Sequence, residues 1–115
     1  MNTMSDLKKK NWSAGVRRAL SATEIVAKLV EIPGWTLDGD GAQIAIQKTF
    51  RFANYLETMS FVNAVAFIAE RHDHHPDMSV HYNRCVVRFN THDVNGISTT
   101  DIECAAEVDA LVKPR

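Results

Sequence analysis

The sequence predicts an α+β fold: a four-stranded antiparallel sheet with three helices on one face, in the order α-β-β-α-β-β-α. Three observations carry this. Two stretches rich in β-branched and aromatic residues each read as a hairpin. Three others repeat their apolar residues at helical spacing behind capping signals. Strands paired in hairpins form an antiparallel sheet, whose apolar face the helices must cover. A chain of 115 residues fits one such domain. Apolar residues at 45% and charged residues at 23% are ordinary globular values, and a formal charge of -1 leaves no general electrostatic footprint for nucleic acid. No stretch approaches the ~20 apolar residues of a membrane span, and the N-terminal lysines lack the apolar run of a secretory signal. The expectation is a cytoplasmic protein with no membrane and no nucleic-acid partner.

Residues 1–20 hold Lys8, Lys9, Lys10, Arg17 and Arg18 without sustained periodicity, and read as a flexible N-terminal arm ahead of a single domain over 21–115. A nucleic-acid contact by this arm is the weaker alternative, because its charges are scattered and Trp12 is its one aromatic. Ser21-Ala22-Thr23-Glu24 is a capping box, and Ile25, Val26, Leu29 and Val30 then recur at helical spacing until Pro33-Gly34. The first helix therefore runs from about Ala22 to Glu31. Trp35 to Leu37 begins a strand, Asp38-Gly39-Asp40-Gly41 suits a tight turn, and Ile44, Ile46, Lys48, Phe50 and Phe52 alternate with Ala45, Gln47, Thr49 and Arg51.

From Asn54 to about Glu70 the period becomes helical, through Leu56, Met59, Val62 or Asn63, and Ala66. Phe61, Val62, Val65, Phe67 and Ile68 extend its apolar surface beyond what one sheet covers, which favours a subunit contact. Two more strands follow, about Met78 to Tyr82 and Cys85 to Thr91, with Val87 and Phe89 on one face and Val86 and Arg88 on the other. Asn95-Gly96 turns the chain, Ser98 caps with Asp101 at N3, and Ile102, Ala105, Val108 and Val112 mark a final helix ending near Pro114. Cys85 and Cys104 stand outside any C-x-x-C pair and read as core thiols, a disulfide being the alternative.

The segment "RHDHHPDMSVHY", residues 71–82, concentrates four of the five histidines. Histidine gives and takes protons near neutrality, so two or three together can serve a reaction that needs both an acid and a base. Pro76 bars His75 from the α region and ends the preceding helix, so His74 and His75 sit at a helix-to-strand corner. Pairing of the last two strands would bring His92 towards that corner. A metal site from His72, Asp73, His74 and His75 is a rival, but the spacing matches no zinc helix. Solvated surface histidines are a second rival. For His72, in the last helical turn, and His81, out of phase with Val80 and Tyr82, a non-catalytic role is expected. No nucleophile elbow and no phosphate-binding glycine loop is present.

The motifs "PGW" at 33–35, "FRF" at 50–52, "AERHDHHPD" at 69–77, "YN" at 82–83, "TH" at 91–92 and "DI" at 101–102, with Ala105 and Asp109, resemble the pterin-4a-carbinolamine dehydratases over Leu20 to about Val112. The resemblance implies that family's four-stranded antiparallel sheet with three helices. It also implies removal of water from 4a-hydroxytetrahydropterin to give quinonoid dihydropterin, the recycling step after aromatic amino acid hydroxylation, without metal or organic cofactor. By position it makes His74, His75 and His92 the catalytic set, His75 the principal base, and His74 and His92 the residues that bind the pterin and supply the acid. Glu70 and Asp73 would orient imidazoles or hold the pterin, a solvated helix end being the equal alternative for Glu70. Pro76, Met78 and Thr91 complete the substrate-binding set. Many relatives have tryptophan soon after H-H-P where this chain has Met78, which can still offer a pterin a flat apolar wall. A homodimer or homotetramer through the 54–70 helix, and a functional link to an aromatic amino acid hydroxylase, are the partners implied. The alternative from another class is a non-catalytic pterin-binding or dimerisation module.

Overall fold

The computed structural model describes residues 17–113. Residues 1–16 of the expected arm lie outside the described residues. Over 17–20 the backbone is irregular, but Leu20 joins the core and its N–H donates to Ile97 O at 2.7 Å. Helix α1 (Ala22–Val30) starts on the capping box expected for it, with Glu24 N–H donating to Ser21 Oγ and the Glu24 carboxylate accepting from Ser21 N–H. The Arg18 guanidinium on that carboxylate, helped by the Ser21 amide, holds it down to about 2.

Strands β1 (Thr36–Asp38) and β2 (Ala45–Arg51) pair antiparallel, Asp38 opposite Ala45. The connection over 39–44 is longer than the tight turn expected at 38–41. Gly39 and Gly41 have positive φ, but Asp40 between them is extended, so the chain coils into a 3-10 turn, Gly41–Gln43, instead of closing a two-residue loop. Helix α2 (Tyr55–His72) follows, capped by Asn54, whose side chain accepts from Glu57 N–H. Strands β3 (Asp77–Val80) and β4 (Arg84–Phe89) form the second hairpin, and helix α3 (Thr99–Val112) closes the fold. The sheet order is β1-β2-β4-β3, all pairs antiparallel.

All three helices cover one side of this sheet. Ile46 and Phe50 of β2 and Cys85, Val87 and Phe89 of β4 share a core with Ile25 of α1, Phe61, Val65 and Ile68 of α2, and Ile102, Ala105 and Val108 of α3. The opposite side carries Gln47, Thr49, Arg51, Val86 and Arg88, half-buried or exposed, as the two-residue period of a one-sided sheet requires. The wide apolar surface of α2 is thus used mainly by its own sheet. Phe61, Val65 and Ile68 face inward, and only Phe67, 78% exposed, and Leu56, 76% exposed, stand out as large apolar groups on its outer side with Tyr55.

The "PGW" motif has a mechanical role. Trp35 is buried and its Nε1–H donates to Asp109 Oδ1 at 3.1 Å, the oxygen that also receives Lys48 Nζ at 2.9 Å. Gly34 turns the chain with φ +94°, and a Cβ there would lie 2.9 Å from Lys48 Cε. Cys85 and Cys104 are free and buried, not bridged. Burial, reinforced by Glu107, Asp101 and Glu103, pushes the Cys104 thiol up to about 12.

Candidate active site

The corner at the end of α2 is built by backbone hydrogen bonds. Asp73 takes the left-handed conformation (φ 50°, ψ 44°) and its N–H returns to Glu70 O at 3.3 Å, while His74 N–H returns to Ala69 O at 3.0 Å. This pair of bonds is a Schellman ending, usually made with glycine at the left-handed position. Pro76 then keeps His75 extended, and β3 begins at Asp77. Asp77 pairs with Arg88, which places the end of β4 beside the corner.

His74 is therefore carried inward. Its ring is 6% exposed, lies parallel to Phe89 at a centroid distance of 5.9 Å, and its Nε2 is 2.6 Å from Asp101 Oδ1. Asp101, the N3 acid of α3, is fully buried. Its Oδ2 receives Thr91 Oγ1 at 2.6 Å and Ser98 N–H at 2.9 Å. Proton directions follow from the chemistry of the groups. A carboxylate only accepts, so Thr91 gives Asp101 its single hydroxyl proton, and the Ser98 hydroxyl, 2.6 Å from Thr91 Oγ1, must donate to Thr91. By the same rule His74 holds its proton on Nε2, which leaves Nδ1 bare in the neutral ring. A buried carboxylate is costly unless its lone pairs are met, and three donors meet them here.

Thr91 also fixes the loop that carries His92. Its N–H donates to Gly96 O at 2.9 Å, and the chain between makes a 3-10 turn, His92–Val94, closed by Asn95 at φ 50°. His92 itself is exposed. His75 is also exposed, with Nε2 3.1 Å from Glu70 Oε1.

The expected site residues thus divide. Asp101 joins His74 to Thr91, the neighbour of His92, and Glu70 partners His75. His74 is enclosed, while His75 and His92 are at the surface. The Thr91 hydroxyl is consumed within the network. Met78 lies on the core-facing side of β3, half-buried and packed against the core, and Pro76 is half-buried at the strand entry. Asp73 serves the helix end. His72 and His81 stand apart: His72 Nε2 meets Glu107 of α3, and His81 Nε2 lies 2.9 Å from Ser79 Oγ. Each histidine of the corner thus addresses a different acid, His72 to Glu107, His74 to Asp101 and His75 to Glu70, and among the described residues no group of three or more His, Cys, Asp or Glu is placed to hold a metal ion. Sequence reasoning missed Asp101 as a site residue, because an acid at N3 of a capping box ordinarily sits in solvent. Its signs in the sequence are the cap and its place in the DI motif at 101–102.

Over residues 18–111 the sequence matches the family described as pterin 4 alpha carbinolamine dehydratase. It is 70% identical over 112 residues to a Paracidovorax citrulli protein provisionally named pterin-4-alpha-carbinolamine dehydratase, covering 97% of each chain. A protein of the same provisional name from Stenotrophomonas maltophilia is 52% identical over 99 residues, 86% of this chain and 84% of that one. Among solved structures, that of a transcriptional coactivator/pterin dehydratase from Brucella melitensis superposes with a TM-score of 0.78 at 30% identity, covering 84% of this chain and all of the other.

Proposed function

This chain belongs to the pterin 4 alpha carbinolamine dehydratase family, whose activity is that of a hydro-lyase, and we propose that it removes water from 4a-hydroxytetrahydrobiopterin to give quinonoid dihydropterin. The observation that carries the reading is the corner itself. A buried aspartate ties His74 to the segment of His92, and an exposed His75 with a carboxylate partner stands next in the chain. In the proposed mechanism the exposed His92 gives a proton to the C4a hydroxyl, which leaves as water. The exposed His75 takes the proton from the adjacent ring nitrogen as the C=N bond forms. His74 binds and orients the pterin from its enclosed position, its tautomer set by Asp101, with Glu70, Asp73, Pro76, Met78 and the Thr91 segment completing the surround. Two proton transfers complete this reaction, so no metal or organic cofactor is called for.

The test is the decay of chemically prepared 4a-hydroxytetrahydropterin followed with and without the purified protein. Acceleration is expected, and His75→Ala should remove about 10²-fold or more of it while leaving the fold intact, since the side chain is exposed. Equal decay with and without protein would reject the reading. It would favour a pterin-binding or regulatory module, the second reading, which the coactivator name of the Brucella melitensis relative keeps in view.

We assign the physiological place to tetrahydrobiopterin recycling beside an aromatic amino acid hydroxylase, in a reducing cytoplasm that suits the two free thiols. Among the described residues no helix is long and apolar enough to cross a membrane. For assembly, the outer stripe of α2 with Leu56 and Phe67 is the surface a homodimer or homotetramer would cover. Light scattering should give a multiple of the chain mass that Phe67→Glu lowers, and a monomer in the native protein would refute the assembly.

A further inference from the structure

The geometry points to Glu107 as a positioning residue for the reaction, one that holds the last turn of α2 so that Glu70 stays on His75. This rests on the function proposed above. Glu107 of α3 divides its carboxylate between two neighbours in α2, Oε1 accepting from Arg71 Nη2 and Oε2 meeting His72 Nε2. Arg71 and His72 are the final residues of that helix, immediately ahead of the left-handed Asp73. Glycine takes that conformation freely, but an aspartate there costs the Schellman ending part of its stability. The last turn of α2 thus depends on support from outside the helix, and α3 gives it at two points. Asp101 grips His74 just beyond the turn, and Glu107 grips Arg71 and His72 within it.

Glu70 belongs to the same turn. It is exposed, and its partner His75 is exposed too, so neither is held by packing. If the turn frays, the Glu70 carboxylate leaves His75 Nε2 and the base loses its orientation. Glu107 holds Arg71 and His72, and through them the turn that carries Glu70, so its part is to position that turn.

Glu107→Gln, Glu107→Ala and a control, Glu103→Gln at an exposed position of the same helix, are compared in the full chain. Two readouts are taken: kcat and KM for the carbinolamine, and the ¹⁵N–¹H imidazole signals of His75. For Glu107→Ala the His75 signals should move and kcat should fall by about tenfold with KM unchanged, short of the ~10²-fold that an ångström of misplacement can cost. Glu107→Gln keeps an oxygen for Arg71 and the native shape, so it should fold normally and fall between. The control should match the native protein. Unmoved His75 signals, or native kcat in both Glu107 variants, would overturn the role. A native protein without turnover would instead sink the proposed function, and the imidazole signals would then still decide the part played by Glu107.

Discussion

Replacing Asp101 separates the two tasks assigned to it, satisfying buried donors and choosing the His74 tautomer. Three donors converge on its carboxylate, His74 Nε2 at 2.6 Å, Thr91 Oγ1 at 2.6 Å and Ser98 N–H at 2.9 Å, and the side chain is fully buried. Asp101→Ala strands all three. At about 1–3 kcal/mol per buried unsatisfied donor, offset by hydroxyl rotation, the loss should be about 3–5 kcal/mol. In a domain of this size that lowers Tm by at least ~10 °C. Asp101→Asn is gentler and more informative. Its amide oxygen can keep Thr91 and the Ser98 N–H, which points its NH2 at His74 Nε2, where only a bare nitrogen can accept. His74 must then move its proton to Nδ1. The cost should be about 1–2 kcal/mol, that of one charge-assisted hydrogen bond weakened, with a larger loss of dehydratase rate. Denaturant unfolding gives the cost, carbinolamine decay the rate, and imidazole ¹⁵N shifts the His74 tautomer. Native stability together with a proton still on Nε2 in Asp101→Asn would refute the network as described.

Other outcomes follow from the same geometry. Gly34→Ala places a side chain at φ +94° against Lys48, so it should cost about 2 kcal/mol in urea unfolding. Gly41→Ala, at φ +55° with open space around it, should cost about half as much, and equal costs would show that the Lys48 contact is immaterial. Cys104, with its thiol pushed up to about 12, should resist alkylation in the folded chain and react on unfolding. Because the folded value is raised, the Cys104 contribution to stability is complete below the ordinary thiol range and is lost as pH climbs from about 9 towards 12. Melting above pH ~9 should therefore fall more steeply in the native chain than in Cys104→Ala, and parallel curves would refute the assignment.

The fold was legible because its signals are local. Ser21 to Glu24 and Ser98 to Asp101 announced two helix starts, the alternation through β2 and β4 assigned their inner faces, and Pro76 marked the corner. Where an outcome depended on competition between local options, the reading was less close. Asp38 to Gly41 held the residues of a tight turn, yet the extended Asp40 let the chain run on to Ala45. The apolar width of α2 marks a surface to be covered, and its own sheet covers Phe61, Val65 and Ile68, because that depends on how the helix is rotated against β2 and β4.

The sequence by itself thus determined the number, order and kind of elements, and put His74 and His75 at the turn, because caps, periodicity and proline act within a few residues. Only the tertiary structure decided that β4 lies between β2 and β3, that Asp101 is buried rather than solvated, that His74 is enclosed while His75 and His92 are open, and that Glu107 reaches Arg71 and His72. Desolvation and hydrogen bonding depend on what is brought close in space, and the groups that meet here are separated by 27 residues for His74 and Asp101 and by 35 for His72 and Glu107.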